Sequence, residues 1–361
     1  MGFKWKGQYY YERCLSFGLA SAPQLFERFS CAIHWILVNK FNIPAVSHVL
    51  DDFIFFNKGG SDACLVSLNT FIHVSKTMNL PLKPSKTVTP RTTVVLHGIE
   101  VDTERMEARL PEDKLEKARQ AVRDLGNRKK ATVRELQSVI GYLCFVCKVV
   151  TPGRTFLRRL FDLLKGNPRS HFYVRISKGA QLDLAMWKLF LDDHRGVTIL
   201  NERRWNADPK RALQTDSAQS REFAAVLGES WVCGAWPAAW TAFHITILEL
   251  YPICAAVEIW VKELTNACIV FYCDNESMCS IINTRTSRDP IAMILLRRLV
   301  LVTMEHNIMF RATHVRGLDN SLPDAISRFQ FGRARRLAPW LRDESTRIPE
   351  HLLPSNILQQ N

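Results

Sequence analysis

Four carboxylates in the second half of the chain have a type and spacing that suit divalent-metal binding. Asp216 and Asp274 each end a predicted strand, Glu249 lies within an apolar predicted helix, and Asp324 opens or lies within a short final helix. Carboxylates that converge at a sheet edge repel one another unless cations lie between them, and Mg²⁺ prefers oxygen ligands. Taken singly, the four have ordinary interpretations as a turn residue, a helix-surface charge, an N-cap and a first-turn acid. Their order and context together favour a shared metal site.

A second acidic pair, Asp51 and Asp52, interrupts the apolar, β-prone stretch VSHVLDDFIFFN at residues 46–57. The pattern predicts a hairpin with the two acids at its bend. One interpretation is a plain turn, although turns favour Asp-Gly or Asn-Gly and Phe53 follows here. The other interpretation is a Mg²⁺ site, because a cation relieves the repulsion between neighbouring carboxylates and can also bind a phosphate.

The elements around this pair predict an α+β layer that carries the acids at its edge. Apolar residues recur at helical spacing on both sides of the hairpin, and Gly and small residues precede the first helix. The predicted elements are a strand within 5–14, a Gly-containing turn at 16–23, a helix over 24–38, the acidic hairpin, a helix over about 62–78 and a strand pair across 92–102 with Gly98 between the strands.

Polar residues and Pro interrupt the pattern near residues 201–210, which predicts a boundary before a fresh folding unit. Its predicted strands cover 211–216, 223–227, 231–235, 267–273 and 308–314, and its helices cover 244–262, 276–283, 290–306 and a last segment around Asp324. The acids therefore fall at strand ends and on helices that could cover them.

Positive charge is concentrated between these two regions. The chain carries a net charge of +13, and residues 109–178 contain 17 Lys and Arg against six Asp and Glu. This segment is predicted to be helical, with a helix over 111–125 and a second that begins at a Thr132–Glu135 capping box and runs to about residue 150. Such a charge favours a nucleic-acid partner, with phosphate contacts from basic side chains, although a solvated charged face is the alternative. The candidate contact residues are Lys129, Lys130, Arg154, Arg158 and Arg159, the three arginines on a helix after the second one.

Length and composition bound the remaining possibilities. A chain of 361 residues with 47% hydrophobic residues predicts two or three globular units. The N-terminus lacks the apolar core of a signal peptide, and no run of eighteen apolar residues follows, so an intracellular protein, cytoplasmic or nuclear and without a membrane partner, is expected. Of the ten cysteines only Cys144 and Cys147 are close in sequence, and no second pair completes a zinc site, which favours buried reduced thiols.

The first part of the chain contains four motifs, in the order Phe17-Gly18-Leu19-Ala20-Ser21-Ala22-Pro23, Leu50-Asp51-Asp52, Lys86 and His97-Gly98-Ile99. In this order the motifs resemble those of the palm of reverse transcriptases. The resemblance implies metal binding by Asp51 and Asp52 and nucleotide binding by Phe17, Gly18 and Lys86. Val49 stands where the family usually has an aromatic residue.

Polymerases of this kind also use a third Asp on an earlier strand to bind their two metal ions. Before Leu50 the sequence contains no Asp, and its acids are Glu12 and Glu27, neither in a matching motif. The resemblance therefore implies a partial palm that lacks the first metal-binding motif and the fingers. Polymerisation by this chain alone is not expected, and a deoxynucleoside triphosphate would bind only to a completed palm.

The last part of the chain contains, in order, the motifs Thr215-Asp216, Glu249-Leu250, Asp274-Asn275, and the segment from His314 to Asn320 followed by Pro323-Asp324-Ala325-Ile326-Ser327-Arg328. This order of motifs resembles that of ribonuclease H. The resemblance implies that Asp216, Glu249, Asp274 and Asp324 bind Mg²⁺ or Mn²⁺, and that His314 is the mobile histidine that moves protons or helps product leave. The implied reaction is hydrolysis of the RNA strand of an RNA–DNA hybrid. Arg221-Glu222 stands where related sequences tend to have small residues.

Across nearly its whole length the chain resembles the polyproteins of DIRS-like and Ngaro-like retrotransposons, which integrate with a tyrosine recombinase. Further marks of this resemblance are the segments 107–111, 152–156, 286–290 and 327–330. The implied fold class is α+β: a partial palm over 1–102, a basic helical thumb and connection over 103–205, and a ribonuclease H-like domain with a five-stranded mixed sheet over 206–330. Residues 331–361 are expected to be a linker or tail, so the resemblance implies truncation at both ends.

The implied partner is an RNA–DNA hybrid or a primer–template duplex, and the oligomeric state stays open. The alternative from another class is a non-catalytic nucleic-acid-binding protein, either a relic or one adopted by a host.

Overall fold

A computed structural model describes residues 2–16, 18–166, 169–193, 197–199, 212–218 and 222–358. The chain divides into two compact units, Met1–Thr92 and Thr93–Asn361. The boundary predicted near 201–210 lies outside the described residues.

The first unit consists of two antiparallel hairpins and two helices. Its elements are β1 (Gly2–Trp5), β2 (Gln8–Tyr11), α1 (Ala22–Phe41), β3 (Val46–Val49), β4 (Asp52–Phe55), α2 (Ala63–Thr77) and a 3₁₀ turn at Pro84–Lys86. The strand predicted within 5–14 is confirmed as β2, but it is shorter than the predicted range, because Lys6 and Gly7 both have positive φ and form a turn that separates β1 from β2. The predicted acidic hairpin is confirmed as β3–β4.

The small core of this unit joins α1 and α2 to the acidic hairpin. Proline at the start of α1 suits the first helical turn, and α1 ends where Asn42 adopts the left-handed conformation. Its buried apolar residues are Ile33, Leu37, Ile43, Val46, Phe71 and Val74.

The second unit contains the rest of the described elements. Its strands are β5 (Thr93–Leu96), β6 (Ile99–Asp102), β7 (Glu107–Arg109), β8 (Lys130–Thr132), β9 (Tyr173–Arg175), β10 (Val197–Ile199), β11 (Ala212–Ser217), β12 (Glu222–Leu227), β13 (Ser230–Ala235), β14 (Cys268–Cys273) and β15 (Met309–His314). Its helices are α3 (Glu112–Gly126), α4 (Val133–Val146), α5 (Arg158–Leu163), α6 (Lys178–Asp193), α7 (Ile245–Ile259), α8 (Val261–Leu264), α9 (Glu276–Thr284), α10 (Pro290–Glu305), α11 (Ser321–Ser327), α12 (Phe331–Leu337) and α13 (Pro354–Ile357).

The central feature of the second unit is a five-stranded mixed sheet in the order β13-β12-β11-β14-β15. β11, β12 and β13 pair antiparallel, whereas β14 pairs parallel with both β11 and β15. Helix α7 packs on β11 and β12, α10 packs on α7, and α11 packs against β11 and β12. The predicted fold class, α+β with a five-stranded mixed sheet, is confirmed.

One hydrophobic core connects the basic helical segment with this sheet. Its buried residues form one continuous cluster that includes Leu110, Trp187, Tyr251 and Ile357. Polar contacts cross the same interface, because Thr155 Oγ1 donates to the carbonyl oxygen of Arg285 at 3.1 Å. The described residues of the basic helical segment and of the sheet therefore share one apolar core.

The capping box predicted at the start of α4 is confirmed. Thr132 Oγ1 accepts from the Glu135 amide at 3.2 Å, and Glu135 Oε2 accepts from the Thr132 amide at 2.7 Å. The Thr132 amide and the Thr132 hydroxyl both donate to Glu135 Oε2, and these two bonds, joined by one from Arg128, lower the pKa of Glu135. A local sequence signal thus fixes where α4 begins.

The segment after residue 331, which the sequence suggested as a linker or tail, folds back onto the five-stranded sheet as far as residue 358. Trp231 Nε1 donates to the carbonyl oxygen of Arg342 at 2.9 Å, and the Thr346 amide donates to that of Trp231 at 2.7 Å. The Tyr251 hydroxyl donates to the carbonyl oxygen of Leu352 at 2.8 Å. Ordinary side-chain and backbone bonds therefore anchor this segment to the domain.

All ten cysteines are free thiols, as the sequence predicted. Burial raises the pKa of Cys147 to about 12, whereas Cys14 and Cys31 are exposed. Among the described residues, no helix combines the length and the apolar character needed to cross a membrane.

Candidate active site

The four carboxylates predicted from the sequence line one cleft at the edge of the five-stranded sheet. Asp216 comes from β11, Glu249 from α7, Asp274 from the residue after β14, and Asp324 from α11, around a volume of about 520 Å³. β11 and β14 run parallel, with Gln214 opposite Tyr272, so both strands end at the same edge. The structure therefore brings together acids that are up to 108 residues apart in the chain.

A proline inside α7 ties Glu249 to the strand that carries Asp216. Pro252 has no amide proton, so the carbonyl oxygen of Leu248 loses its usual helical partner. Ser217 Oγ donates to that oxygen at 3.0 Å, and both residues are buried. This bond fixes α7 against β11 beside both acids.

We expect Ser217→Ala to lower the free energy of unfolding by about 1–3 kcal/mol, because the Leu248 carbonyl would be buried without a partner. Chemical unfolding of the full chain measures this loss. The matched test is a double-mutant cycle with Pro252→Ala, which returns an amide proton to the helix. Adding Pro252→Ala should recover most of the loss, and an additive result would contradict the assignment.

Glu249 is the most deeply buried of the four acids, with 3% of its surface exposed. Its Oε1 accepts from the Ser217 amide at 3.2 Å, and its Oε2 accepts from Cys273 Sγ at 3.3 Å. Burial, followed by the charges of Asp216 and Asp274, raises the pKa of Glu249 well above its ordinary value. The carboxylate is held in place but is unfavourable as an anion without a compensating cation.

Asp216 is in a similar environment. Burial raises the pKa of Asp216, the hydrogen bond from Ser327 lowers it, and the charges of Asp274 and Asp324 raise it, so that the resulting pKa is about 6. Ser327 Oγ donates to Asp216 Oδ2 at 2.5 Å and lies 3.0 Å from the carbonyl oxygen of Asp324. Ser327 therefore orients Asp216 and connects it to α11.

Two arginines hold the carboxylate of Asp324 at the rim of the cleft. Arg328 Nε donates to its Oδ1 at 2.5 Å, and Arg333 Nη1 donates to its Oδ2 at 2.9 Å. The bond to Asp324 raises the pKa of Arg328. Both arginines line the cleft, so they bring positive charge to the place where an anionic substrate would enter.

His314 lies at the exposed end of β15, paired in register with Cys273 of β14. Its Nε2 is 3.2 Å from the carbonyl oxygen of Asp274. It is therefore next to an acid of the cleft, although its side chain is not among the residues that line the cleft.

The donor atoms of the cleft suit a hard divalent cation such as Mg²⁺ or Mn²⁺. Glu249 and Asp274 each place a carboxylate oxygen, and Cys273 its Sγ, within 4.8 Å of one another. Burial and the charge of Glu249 raise the pKa of Cys273, so it remains a thiol and leaves the oxygen atoms as ligands. The chemistry of these residues fits the metal that the sequence predicted.

Five residues that shape the cleft were assigned no role from the sequence: Ser217, Cys273, Ser327, Arg328 and Arg333. Two of them, Ser327 and Arg328, lie in a matching motif. One signal was present, because a proline within an otherwise strong helical pattern leaves a carbonyl that needs a partner. The contacts of Arg333 had no signal in the sequence, since α12 had been interpreted as part of a linker or tail.

In the first unit, Asp51 and Asp52 are exposed at the turn of the β3–β4 hairpin, where Val49 pairs with Asp52. Leu50 precedes them with a φ of 52°, and its amide donates to Glu27 Oε2 at 3.1 Å. Gly18, at a φ of 85°, and Lys86 are both exposed. Phe17 lies outside the described residues.

The predicted phosphate-contact residues divide into two groups. Lys129, Lys130 and Arg154 are exposed. Arg158 Nη2 lies 2.7 Å from Asp162 Oδ1, and Arg159 Nη1 lies 3.2 Å from Asp183 Oδ1, so these two guanidinium groups have partners within the protein. The prediction that all three arginines share one helix is wrong, because Pro152 and Gly153 place Arg154 in a 3₁₀ segment, Thr151–Leu157, before α5.

No protein-family model and no curated protein sequence matches the chain. Solved structures that match the chain include a foamy viral protease-reverse transcriptase dRH in complex with double-stranded DNA, at 15% identity over 87% of this chain and 53% of that chain, with a TM-score of 0.44. The foamy viral protease-reverse transcriptase with an RNA/DNA hybrid matches at 14% identity over 86% and 40%, with a TM-score of 0.43. Its complex with double-stranded DNA matches at 16% identity over 87% and 63%, with a TM-score of 0.46. The chain thus spans less than two thirds of the length of these structures.

Proposed function

We propose that the second unit is a metal-dependent nuclease of the ribonuclease H type that hydrolyses the RNA strand of RNA–DNA hybrids. The observation that carries the proposal is the cleft itself, where four carboxylates from four different elements converge. Two of them, Asp216 and Glu249, have pKa values raised by burial and by their acidic neighbours. Buried carboxylates so close together repel one another and destabilise the fold unless cations bind between them, so the group is suited to holding cations.

In the proposed reaction, Asp216, Glu249, Asp274 and Asp324 hold Mg²⁺ or Mn²⁺. When bound, these cations activate water and stabilise the leaving oxygen of the phosphodiester. The protein orients the ligands: the Ser217 amide and Cys273 fix the carboxylate of Glu249, and Ser327 fixes that of Asp216. His314, beside Asp274 at the exposed end of β15, is placed to take up or deliver a proton as product leaves.

Arg328 and Arg333 give the rim of the cleft a second role. Their guanidinium groups hold both oxygens of Asp324 and line the opening. Arginines at such a position bind phosphate oxygens in bidentate fashion. We therefore assign them to the backbone of the hybrid beside the scissile phosphate.

The direct test is cleavage of an end-labelled RNA–DNA hybrid by the full chain in Mg²⁺. The full chain is needed because one core spans the helical segment and the five-stranded sheet. We expect cleavage of the RNA strand of the hybrid, none of single-stranded RNA or double-stranded DNA, and loss of activity with EDTA. A folded chain that cleaves nothing in Mg²⁺ or Mn²⁺ would overturn the proposal.

We further propose that the chain derives from a DIRS-like or Ngaro-like element. In this proposal residues 1–102 are a partial palm, 103–205 the thumb and connection, and 206–330 the nuclease domain. The exposed Asp51 and Asp52 at the turn of a hairpin support the palm assignment. Polymerisation is not assigned to this chain alone, and extension of a labelled primer by the purified chain would contradict that view.

The basic segment supports a second role, which is binding of the nucleic-acid duplex. The alternative function, a non-catalytic nucleic-acid-binding protein, would use the same surface. Lys129 and Lys130 are exposed at the start of β8, and Lys130 Nζ lies 5.1 Å from the centre of the exposed ring of Tyr173. Lysines that contact phosphates release counterions and make binding salt-dependent without reading sequence.

We expect the double variant Lys129→Ala/Lys130→Ala to weaken hybrid binding and to reduce the slope of log K against log salt by about 1–2. Fluorescence anisotropy over a salt series measures both. The matched control is Lys188→Ala/Lys262→Ala, which removes the same charge from two exposed positions of the same unit. Equal effects of the two double variants would show that overall charge, and not this surface, determines binding.

A further inference from the structure

A second group of metal-binding side chains lies in the first unit, outside the carboxylate cleft. Glu27 and Cys31 are four residues apart on α1 and therefore share one face of the helix, which faces His48 of β3. Glu27 Oε1 lies 3.3 Å and Cys31 Sγ lies 3.7 Å from His48 Nε2. One donor atom from each of the three residues falls within 4.8 Å of the other two.

These separations are those of ligands around one tetrahedral zinc ion. Zinc bond lengths of about 2.0–2.2 Å to N and O and about 2.3 Å to S imply N to O distances of about 3.4 Å and N to S distances of about 3.6 Å at tetrahedral angles. The observed 3.3 Å and 3.7 Å agree with these distances. The three side chains therefore need little movement to bind a single ion.

Neighbouring side chains fix the orientation of the His48 imidazole ring. Its Nδ1 lies 2.8 Å from Nδ1 of His34, one turn further along α1, so one of the two nitrogens donates to the other. The ring of His48 stacks on that of Phe53 with a centroid distance of 5.2 Å, and Phe53 stacks in turn on Phe71. With Nδ1 of His48 as the donor, the lone pair of its Nε2 is directed at Glu27 and Cys31, as in histidine ligands oriented by a second residue.

We propose that Glu27, Cys31 and His48 form a zinc-binding site, with His34 as the residue that positions His48. A thiolate, an imidazole and a carboxylate together favour Zn²⁺ over Mg²⁺, which takes oxygen ligands. Cys31 is exposed and Glu27 is partly exposed, so water completes the coordination. This site is independent of the nuclease reaction proposed for the second unit.

The site connects α1 to the hairpin that bears the acidic pair. Glu27 is shared between them, because its Oε1 faces His48 while its Oε2 accepts from the amide of Leu50, the residue before Asp51. Zinc at this position fixes α1 against β3 and stabilises the first unit, whose apolar core is small.

The experiment uses the full chain, which is purified with chelator. The chain is titrated with Co²⁺, and Zn²⁺ is then added to the Co²⁺-loaded chain; a separate titration uses Zn²⁺ alone. We expect Co²⁺ to give the charge-transfer absorption of a thiolate ligand, which one equivalent of Zn²⁺ removes. Cys31→Ser and His48→Gln should abolish the band, whereas Cys14→Ser, which removes another exposed thiol, should retain it. His34→Ala should retain the band but weaken Zn²⁺ affinity by about 10–100-fold.

A stability measurement accompanies the titration. Limited proteolysis should show that Zn²⁺ protects residues 2–92 in the wild-type chain and in Cys14→Ser but not in Cys31→Ser. Circular dichroism should show that Cys31→Ser is folded, because this thiol is exposed. A band that survives in Cys31→Ser, or a folded wild-type chain that gives no band, would overturn the proposal and leave the contact between Glu27 and His48 as an ordinary hydrogen bond.

Discussion

Asp274→Asn is expected to reduce cleavage of an RNA–DNA hybrid by at least about 1,000-fold. The substitution keeps the size of the side chain and removes one anionic ligand from a cleft that also contains Asp216 and Glu249. Loss of a properly held metal ion removes several kcal/mol of transition-state stabilisation, and each 1.36 kcal/mol is about tenfold in rate. Single-turnover cleavage of a labelled hybrid by the full chain measures the effect.

Asp319→Asn is the matched control, because this acid is exposed in the 3₁₀ segment before α11 and does not line the cleft. It should cleave within about twofold of the wild-type rate, since surface substitutions away from a site have small effects. A second readout is independent of activity. Mg²⁺ should raise the melting temperature of the wild-type chain and of Asp319→Asn but hardly that of Asp274→Asn.

Both possible outcomes of the Asp274→Asn experiment, lost cleavage and unchanged cleavage, are informative. Asp274→Asn removes a charge that raises the pKa of both Asp216 and Glu249, so in the absence of metal the fold should become no less stable. Lost cleavage in a stable protein therefore assigns Asp274 to metal binding. Unchanged cleavage would mean that the nuclease reaction does not use this cleft.

The convergence of the four acids could be predicted because the ends of the strands are visible in the sequence as the points where apolar runs stop. β14 is a continuous apolar run, and the acid follows where the run stops, so Asp274 must emerge at the edge of a buried sheet. Glu249 was predictable for a different reason, since α7 is apolar almost all round and a carboxylate within it is buried next to whatever the helix covers.

Most of the groups that hold these acids were not predictable, because their contacts depend on how the elements pack and not on a local sequence pattern. Ser327 bonds to Asp216 across 111 residues, and its own segment carries no pattern that specifies the partner. Arg333 contacts Asp324 only because α12 turns back onto the sheet. The zinc site is similar: Glu27 and Cys31 share a helix face by spacing, but only the packing of α1 on β3 brings His48 to them.

The junction between the helical segment and the five-stranded sheet was missed for the same reason. Arg297 of α10 reaches Asp183 of α6 across 114 residues, with its Nη2 at 3.4 Å from Asp183 Oδ2. Arg159 approaches the same carboxylate at 3.2 Å. Charged side chains on helices are ordinarily expected on the surface of a protein. Here only 1% of the Asp183 side chain and 8% of the Arg297 side chain are exposed.

Arg297→Met is therefore expected to destabilise the second unit by about 3–5 kcal/mol near neutral pH. The change keeps an unbranched apolar side chain in the core but leaves the buried Asp183 carboxylate with Arg159 as its remaining cationic partner. Thermal or chemical unfolding of the full chain, in the presence of EDTA so that metal binding does not contribute, measures the effect. Arg123→Met, which breaks an exposed pair with Glu116, should cost at most about 1 kcal/mol.

The pH dependence of this loss has a definite sign. Burial raises the pKa of Asp183 to about 6 although Arg297 and Arg159 both act to lower it, so removing Arg297 raises this pKa further. A carboxyl group whose pKa is higher in the folded state than its ordinary 3.8 favours folding at low pH, and this contribution is lost as pH rises through the folded value. Arg297→Met should therefore differ little from wild type near pH 4 and most at pH 7 and above.

A compensating variant separates the charge effect from the loss of packing. In Asp183→Leu/Arg297→Met both buried charges are gone and apolar side chains fill their space, which is often neutral or stabilising for a buried pair. We expect this double variant to recover most of the stability that Arg297→Met loses, and to do so without the pH dependence. If instead the double variant unfolds like Arg297→Met at every pH, the unpaired charge of Asp183 is not the cause of the loss, and the fit of the Arg297 side chain between α6 and α10 is.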